Sequence, residues 1–191
     1  MKKTLILFTI FILTMTSVFA LSKPRWNNNK VKVYIPQNHY YSKIMKQAFL
    51  EWQQKSKYAV CFDFLNSKRQ KDADITVHFV EKNTNCDSEY AIGCTNINLD
   101  KEDFYTHNDI YIASMGLHRY YKENGTSIDE YVPITSEQVY NVMLHETGHA
   151  IGIHGHSNNP DSVMYKYSKN NKNSSQVITE EDVIFINNVY R

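Results

Sequence analysis

Glycine and proline are scarce in this chain, which has only 6 and 4 of them among 191 residues. This composition excludes collagen-like repeats and the glycine- or proline-rich stretches that are typical of disordered segments. No internal repeat and no second compositional block divides the sequence. The 14 tyrosines and the many asparagines are instead typical of a folded domain with a polar surface.

An excess of charge of either sign is also absent. The chain has 21 Lys and Arg against 20 Asp and Glu, a formal net charge of +1. Proteins that bind nucleic acids or anionic membranes usually concentrate positive charge. The sequence therefore predicts neither partner, and residues 21–191 are long enough for one domain with a hydrophobic core.

The one long apolar run is at the start of the chain. Lys2 and Lys3 precede an uncharged run over residues 5–19, and Val18-Phe19-Ala20 provides small residues at the positions that a signal peptidase reads. We predict a signal peptide over residues 1–20 and a secreted protein, extracellular or, if the source has an outer membrane, periplasmic. An uncleaved anchor is the alternative, but the run is short for a membrane span.

Only three cysteines are present, and none forms a Cys-x-x-Cys pair. A cysteine-based metal cluster is therefore not expected. In an oxidising compartment, Cys86 and Cys94 are the favoured structural disulfide because they flank a short polar loop. Pairing of Cys61 with either of them is the alternative, and sequence alone does not decide the connectivity.

Hydrophobic periodicity indicates strands and helices along the whole chain. Alternating or apolar runs predict strands, and 3.6-residue spacing predicts helices. Thr135 and Gln138 form the pattern of a capping box at the start of one helix. We predict strands at 31–35, 60–65, 73–80, 91–95 and 109–113, helices at 42–55, 135–151 and from 179 onward, and a linker at 114–132.

Residues 145–156, HETGHAIGIHGH, contain the pattern with the clearest chemistry. His145 and His149 are four residues apart and share one helix face, so both imidazoles can reach one metal ion. Glu146 is placed to reach a water beside that ion without being a ligand. Gly152 can end the helix and turn the chain back, bringing a third histidine to the ion. Three protein ligands with one open position are typical of catalytic zinc.

This motif, together with Ser162-Val163-Met164-Tyr165, resembles the metzincin metalloproteases, whose signature ends in a methionine turn. The family places its third histidine three residues after the glycine, where this chain has Gly155. In the matrixin branch a serine follows that histidine, as Ser157 follows His156, and the spacing from His156 to Met164 also matches. The resemblance favours His156 as the third ligand through a one-residue insertion absorbed at Gly155. His154 is the alternative.

The resemblance extends over nearly the whole of residues 21–191 and implies a single metzincin-like catalytic domain. The implied fold is α+β: a mixed, mostly parallel twisted sheet of about five strands, an N-terminal helix, an active-site helix, a methionine turn and a C-terminal helix. The implied activity is zinc-dependent endopeptidase, with Glu146 as general base and Met164 forming an apolar floor under the metal. A peptide or protein substrate would lie along the edge strand near residues 91–95.

Some features of the family are missing from this sequence. It has no Pro-Arg-Cys-Gly switch, and residues 81–108 lack the loops that hold a structural zinc and calcium in vertebrate members. His107 and His118 are isolated from any such pattern, and His78 falls inside a predicted strand. We therefore expect one catalytic zinc, no calcium, and a monomer.

Two other functions fit the motif less well. A zinc hydrolase of another amide bond, such as a cell-wall amidase, would be expected to have wall-binding repeats or a basic patch, and neither is present. A secreted binding protein that keeps the protease fold would have no need of Glu146, which is intact.

Overall fold

The computed structural model describes residues 24–167 and 176–190. The predicted signal peptide at residues 1–20 lies outside these ranges. Within them, no helix combines the length and the apolar character that crossing a membrane requires.

A five-stranded sheet forms the centre of the fold, in the order β2-β1-β3-β5-β4. The strands are β1 (Lys30–Tyr34), β2 (Cys61–Leu65), β3 (Ile75–Val80), β4 (Gly93–Leu99) and β5 (Tyr105–Ala113). The pairs β1–β2, β1–β3 and β3–β5 are parallel, and β4 runs antiparallel to β5 at the edge. The predicted mixed, mostly parallel sheet of about five strands is confirmed.

In the described part of the chain, three helices accompany the sheet: α1 (Ser42–Lys55), α2 (Ser136–Ala150) and α3 (Glu180–Tyr190). A short 3₁₀ helix, Ser67–Asp72, precedes β3. The buried side of α1 consists of Met45, Ala48, Phe49 and Trp52, at the spacing of one helix face. The indole Nε1 of Trp52 donates to the carbonyl of Leu144 at 2.8 Å, which fixes α1 against α2.

The carboxyl end of α2 is held by side chains from three distant segments. The last carbonyls of a helix have no partner within it and need other donors. Trp26 Nε1 and Asn108 Nδ2 donate to the carbonyl of Ala150 at 2.9 and 3.1 Å. The Tyr190 hydroxyl donates to the carbonyl of Ile151 at 2.8 Å. The N-terminal segment, β5 and α3 therefore all fix the point where α2 ends.

The predicted linker at 114–132 is wrong. These residues form a two-stranded hairpin, β6 (Met115–Tyr121) and β7 (Ser127–Pro133). Asn124-Gly125 lies in the turn, and Gly125 has a positive φ of 80°. Asn-Gly between two strands is a strong hairpin signal because glycine adopts positive φ without strain. The predicted strands 91–95 and 109–113 were also too short, since β4 extends to Leu99 and β5 begins at Tyr105.

The start of α2 has a complete capping box. The Thr135 hydroxyl accepts from the Gln138 amide at 3.2 Å, and Gln138 Oε1 accepts from the Thr135 amide at 3.0 Å.

We expect Thr135→Ala to lower the free energy of unfolding by about 1 kcal/mol, because the Gln138 amide loses its acceptor. Thr135→Ser keeps the hydroxyl and should stay close to wild type in denaturant unfolding. Equal stability of the alanine and serine variants would contradict this role.

Candidate metal centre

Helix α2 presents two histidines to the same point. His145 and His149 are one helical turn apart, and their Nε2 atoms lie 3.1 Å from each other. Their ring planes are nearly perpendicular, with centroids 4.6 Å apart. Two ring nitrogens directed at one position are what a shared cation requires.

Gly152 turns the chain back towards these rings. Its φ is +134°, a conformation that side-chain-bearing residues rarely adopt, and its amide donates to the carbonyl of His149 at 3.2 Å. A Cβ at this position would also lie 3.3 Å from Val189 Cγ1. The turn therefore depends on glycine both for its backbone angle and for its contact with α3.

The returning segment brings His156, and not His154, to the pair. The His156 ring centroid lies 5.2 Å from that of His145 and 5.1 Å from that of His149. One nitrogen of each of these three histidines lies within 4.8 Å of the others. The His154 ring lies elsewhere, with Nε2 2.7 Å from the Tyr105 hydroxyl.

Gly155 does not have the role that its sequence position suggested. Among the described residues, only Gly125 and Gly152 are glycines with a positive φ. A Cβ at Gly155 would meet nothing within 4 Å. The extra residue is accommodated because residues 154–156 are exposed, and no left-handed backbone at Gly155 is needed.

Main-chain carbonyls orient the two helical histidines. Nδ1 of His145 lies 2.7 Å from the carbonyl of Val163, and Nδ1 of His149 contacts the carbonyl of Ile153. A carbonyl oxygen can only accept, so each Nδ1 has the hydrogen and each Nε2 has a free lone pair. This is the tautomer that a metal ligand needs.

Loss of contact with solvent, nearly complete at His145 and His149 and partial at His156, favours the neutral form of the three imidazoles. It lowers the pKa of His145 and of His156, and a neighbouring Lys166 lowers the pKa of His156 further. For His149, burial and the nearby His145 lower the pKa from 6.5 to about 3. Neutral imidazoles are the form that binds metal, so the chemistry of this donor set fits a zinc ion.

Met164 lies directly beneath the helix that presents the ligands. A Cβ on Gly148 would lie 2.3 Å from Met164 Sδ and 3.0 Å from Trp52 Cζ2. Gly148, which directly precedes His149, therefore lets the methionine and the indole pack against the helix backbone. Gly148 occupies an unspecified position of the histidine motif. Only the packing reveals why glycine is needed there.

A buried carboxylate of α3 fixes the methionine turn. The Ser162 hydroxyl donates to Asp182 at 2.8–2.9 Å and accepts from the Met164 amide at 2.9 Å. Asp182 also accepts from the amide and the hydroxyl of Thr179 at 2.9 and 2.7 Å. Since Met164 follows Ser162 by two residues, this network fixes the position of the Met164 side chain below the histidines. In the sequence, Thr179 and Asp182 form the Thr-x-x-Asp start of the last helix, and only the structure reveals that Asp182 also holds Ser162.

Glu146 lies between α2 and the edge strand β4, and it is only 5% exposed. Burial raises the pKa of its carboxyl to about 7, opposed by a hydrogen bond from Thr95. The carboxyl lines a cleft of about 410 Å³ together with the three histidines. Other parts of the wall come from β4, α2 and the methionine turn, including Gly93, Val142 and Val163.

A disulfide joins Cys86 to Cys94, with their Cα atoms 5.8 Å apart. Cys94 is in β4, so the bond fastens the loop before this strand beside the cleft. Cys61 is the remaining thiol and lies on β2.

The other histidines lie away from the triad. His78 Nε2 and His107 Nε2 are 2.7 and 3.4 Å from Asp109 Oδ1. His118 stacks on Tyr120 in the hairpin. Among the described residues, only His145, His149 and His156 form a group of three converging potential ligands.

Comparison with known proteins identifies the family. The matrixin family model matches residues 25–191, a range that includes the histidine triad and the methionine turn. No curated protein matches the sequence. The solved structure of myroilysin is similar to this chain, with 15% identity and a TM-score of 0.48, covering 87% of this chain and 95% of that one. On the family match, the chain belongs to the matrixins, a family of metzincin-type zinc metalloendopeptidases.

Proposed function

We propose that this protein is a secreted endopeptidase in which His145, His149 and His156 hold one zinc ion and Glu146 is the general base. The observation that supports it most is the convergence of three neutral imidazoles beside a buried carboxyl in an open cleft. Secretion is supported by the predicted signal peptide and by the disulfide, since disulfides persist in oxidising compartments.

Zinc in this position would supply Lewis acidity, which polarises a substrate carbonyl and lowers the pKa of a water. Glu146 takes the proton of that water on its carboxyl and returns it to the leaving nitrogen. Burial raises the pKa of the Glu146 carboxyl to about 7, and the charge of a zinc ion bound beside it would act in the opposite direction. Met164 closes the site from below, because its side chain is fully buried under α2.

Strand β4 provides a place for an extended substrate. Among the described strands it pairs with β5 alone and is the last strand of its sheet, so its other edge can pair with a peptide backbone. Gly93 and Thr95 of this strand line the same cleft as the histidines. A peptide bound along β4 would therefore pass beside Glu146.

The third ligand is tested by a pair of alanine variants. We expect His156→Ala to weaken zinc binding by at least about 100-fold, because two imidazoles alone remain. His154→Ala should bind zinc within about threefold of wild type, since its ring faces Tyr105. Competition with a chromophoric chelator measures both affinities. The reverse order of the two variants would show that His154 is the ligand.

Zinc affinity should depend only weakly on mild acidification. For three histidines with an ordinary pKa of 6.5, proton competition from about pH 7.5 to about pH 6 would cost roughly 50-fold in affinity. Burial lowers the pKa of all three ligands here, so protons compete only at more acid pH. We expect a loss below about fivefold over that range.

The measurement is best made in Glu146→Gln, in which no carboxyl titrates at position 146. Chelator competition at several pH values gives the affinities. A 50-fold loss would mean that the imidazoles titrate as if exposed.

The base is tested by Glu146→Gln in the zinc-loaded enzyme. Glutamine keeps the shape of the side chain but cannot take a proton, so hydrolysis of a casein or peptide substrate should fall by roughly 10²–10⁴-fold. Zinc stoichiometry and thermal unfolding serve as controls and should show that the site and fold are intact. Hydrolysis at the wild-type rate would refute the assignment. Bound zinc without cleavage of any peptide by the wild-type protein would favour a binding function.

A further inference from the structure

The inner face of β4 has one hydroxyl at a position where an apolar side chain would be expected. Gly93, Thr95 and Ile97 alternate along the face towards α2, and Ile97 packs against the hydrophobic core. Cys94 points to the other face and forms the disulfide. A hydroxyl on the packed face needs a hydrogen-bond partner, because burying it alone costs free energy.

The partner of this hydroxyl is Glu146. Thr95 Oγ1 lies 2.9 Å from Glu146 Oε2 and 3.0 Å from the main-chain oxygen of the same residue. A threonine hydroxyl has a single hydrogen and therefore donates to one of these two oxygens at a time. An ionised carboxylate is the stronger acceptor, so the hydrogen is directed to Oε2 when Glu146 is charged.

The aliphatic part of the Glu146 side chain also lies close to β4. A Cβ on Gly93 would lie 3.0 Å from Glu146 Cγ and 2.5 Å from Val142 Cγ1. The absence of a side chain at Gly93 lets α2 approach the backbone of β4 this closely. Gly93 therefore leaves room for Cγ of Glu146, and Thr95 contacts the carboxyl of the same side chain.

We propose that Thr95 is a positioning residue for the general base: its hydroxyl holds Oε2 of Glu146 and leaves Oε1 as the oxygen that takes the proton. In the described structure, the hydrogen bond between Thr95 and the carboxyl of Glu146 is made at Oε2. A carboxylate held at one oxygen keeps the other in a fixed direction, and such preorganisation lowers the barrier to proton transfer. This proposal rests on the role of Glu146 proposed above.

A purely structural role of Thr95 predicts something different. If the hydroxyl only joins β4 to α2 through the main-chain oxygen of Glu146, its removal lowers stability and leaves the rate of the zinc-loaded enzyme unchanged. If it positions the carboxyl, its removal lowers kcat at intact fold and zinc content. Substrate binding should change little in that case, because the contact is with Glu146 and not with substrate.

The experiment compares Thr95→Val, Thr95→Ser and a control, Thr106→Val, in the full zinc-loaded enzyme. Valine has the shape of threonine without the hydroxyl, and serine restores the donor. Thr106 also donates to β4, at the carbonyl of Asn98, and is not among the residues that line the cleft. We expect kcat of Thr95→Val to fall by about 10-fold or more with KM within about twofold of wild type, since hydrogen bonds to charged groups are the strong ones. Thr95→Ser should recover most of the rate, and Thr106→Val should match wild type.

Metal-free protein supplies a second readout. Thr95→Val and Glu146→Gln should have non-additive effects on unfolding by denaturant, because the two side chains share one hydrogen bond. In the zinc-loaded Glu146→Gln background, Thr95→Val should cause no further loss of rate. If the valine variant does not fold, Thr95→Ala removes the same donor without adding bulk, and the same results are expected of it.

The outcomes separate this proposal from the one on which it rests. A folded Thr95→Val or Thr95→Ala enzyme with wild-type kcat overturns the positioning role, as does a serine variant as slow as the valine variant. In both cases a slow Glu146→Gln enzyme leaves the general base in place. A fast Glu146→Gln enzyme, in contrast, refutes the base itself.

Discussion

The candidate metal centre depends on two main-chain carbonyls that fix the direction of two imidazoles. Val163 and Ile153 each accept from an Nδ1 of α2 and leave the Nε2 atoms directed at one position. Neither carbonyl belongs to the helix, so the helix alone would not define the site. The Val163 carbonyl is set by the methionine turn, and the Ile153 carbonyl is set by the turn at Gly152. The rest of the fold holds these two turns where the histidines need them.

Distant parts of the chain contribute to both turns. Asp182 of α3 holds Ser162, and the Tyr190 hydroxyl at the other end of α3 holds the carbonyl of Ile151. Trp26 and Asn108 hold the carbonyl of the neighbouring Ala150. The short C-terminal helix is therefore part of the support of the metal centre, although none of its side chains lines the cleft. A ligand set built this way is preorganised before any ion binds.

The sequence predicted those elements whose pattern is local. The spacing of His145 and His149, the capping box at Thr135 and the apolar periodicity of α1 depend on neighbours in the chain, and all three are present as expected. The hairpin at 115–133 was missed although Asn124-Gly125 was a readable signal, because its strands are polar and largely exposed. The contacts of Gly148 with Met164, of Thr95 with Glu146 and of Ser162 with Asp182 join residues 16 to 51 positions apart. Such pairings follow from the packing of elements and have no signature in a single sequence.

The placement of His156 has a consequence for how metalloprotease sequences are recognised. Residues 153–156 span the same gap with one residue more than the family pattern, and residues 154–156 lie at the surface, where added length costs little. Coordination of a metal ion depends on where the ligand nitrogens lie in space, and the number of residues between them does not matter. A sequence pattern with a fixed interval between the second and the third histidine would miss this chain. A pattern that allows an extra residue before the third histidine would find it, together with any homologue that has the same insertion.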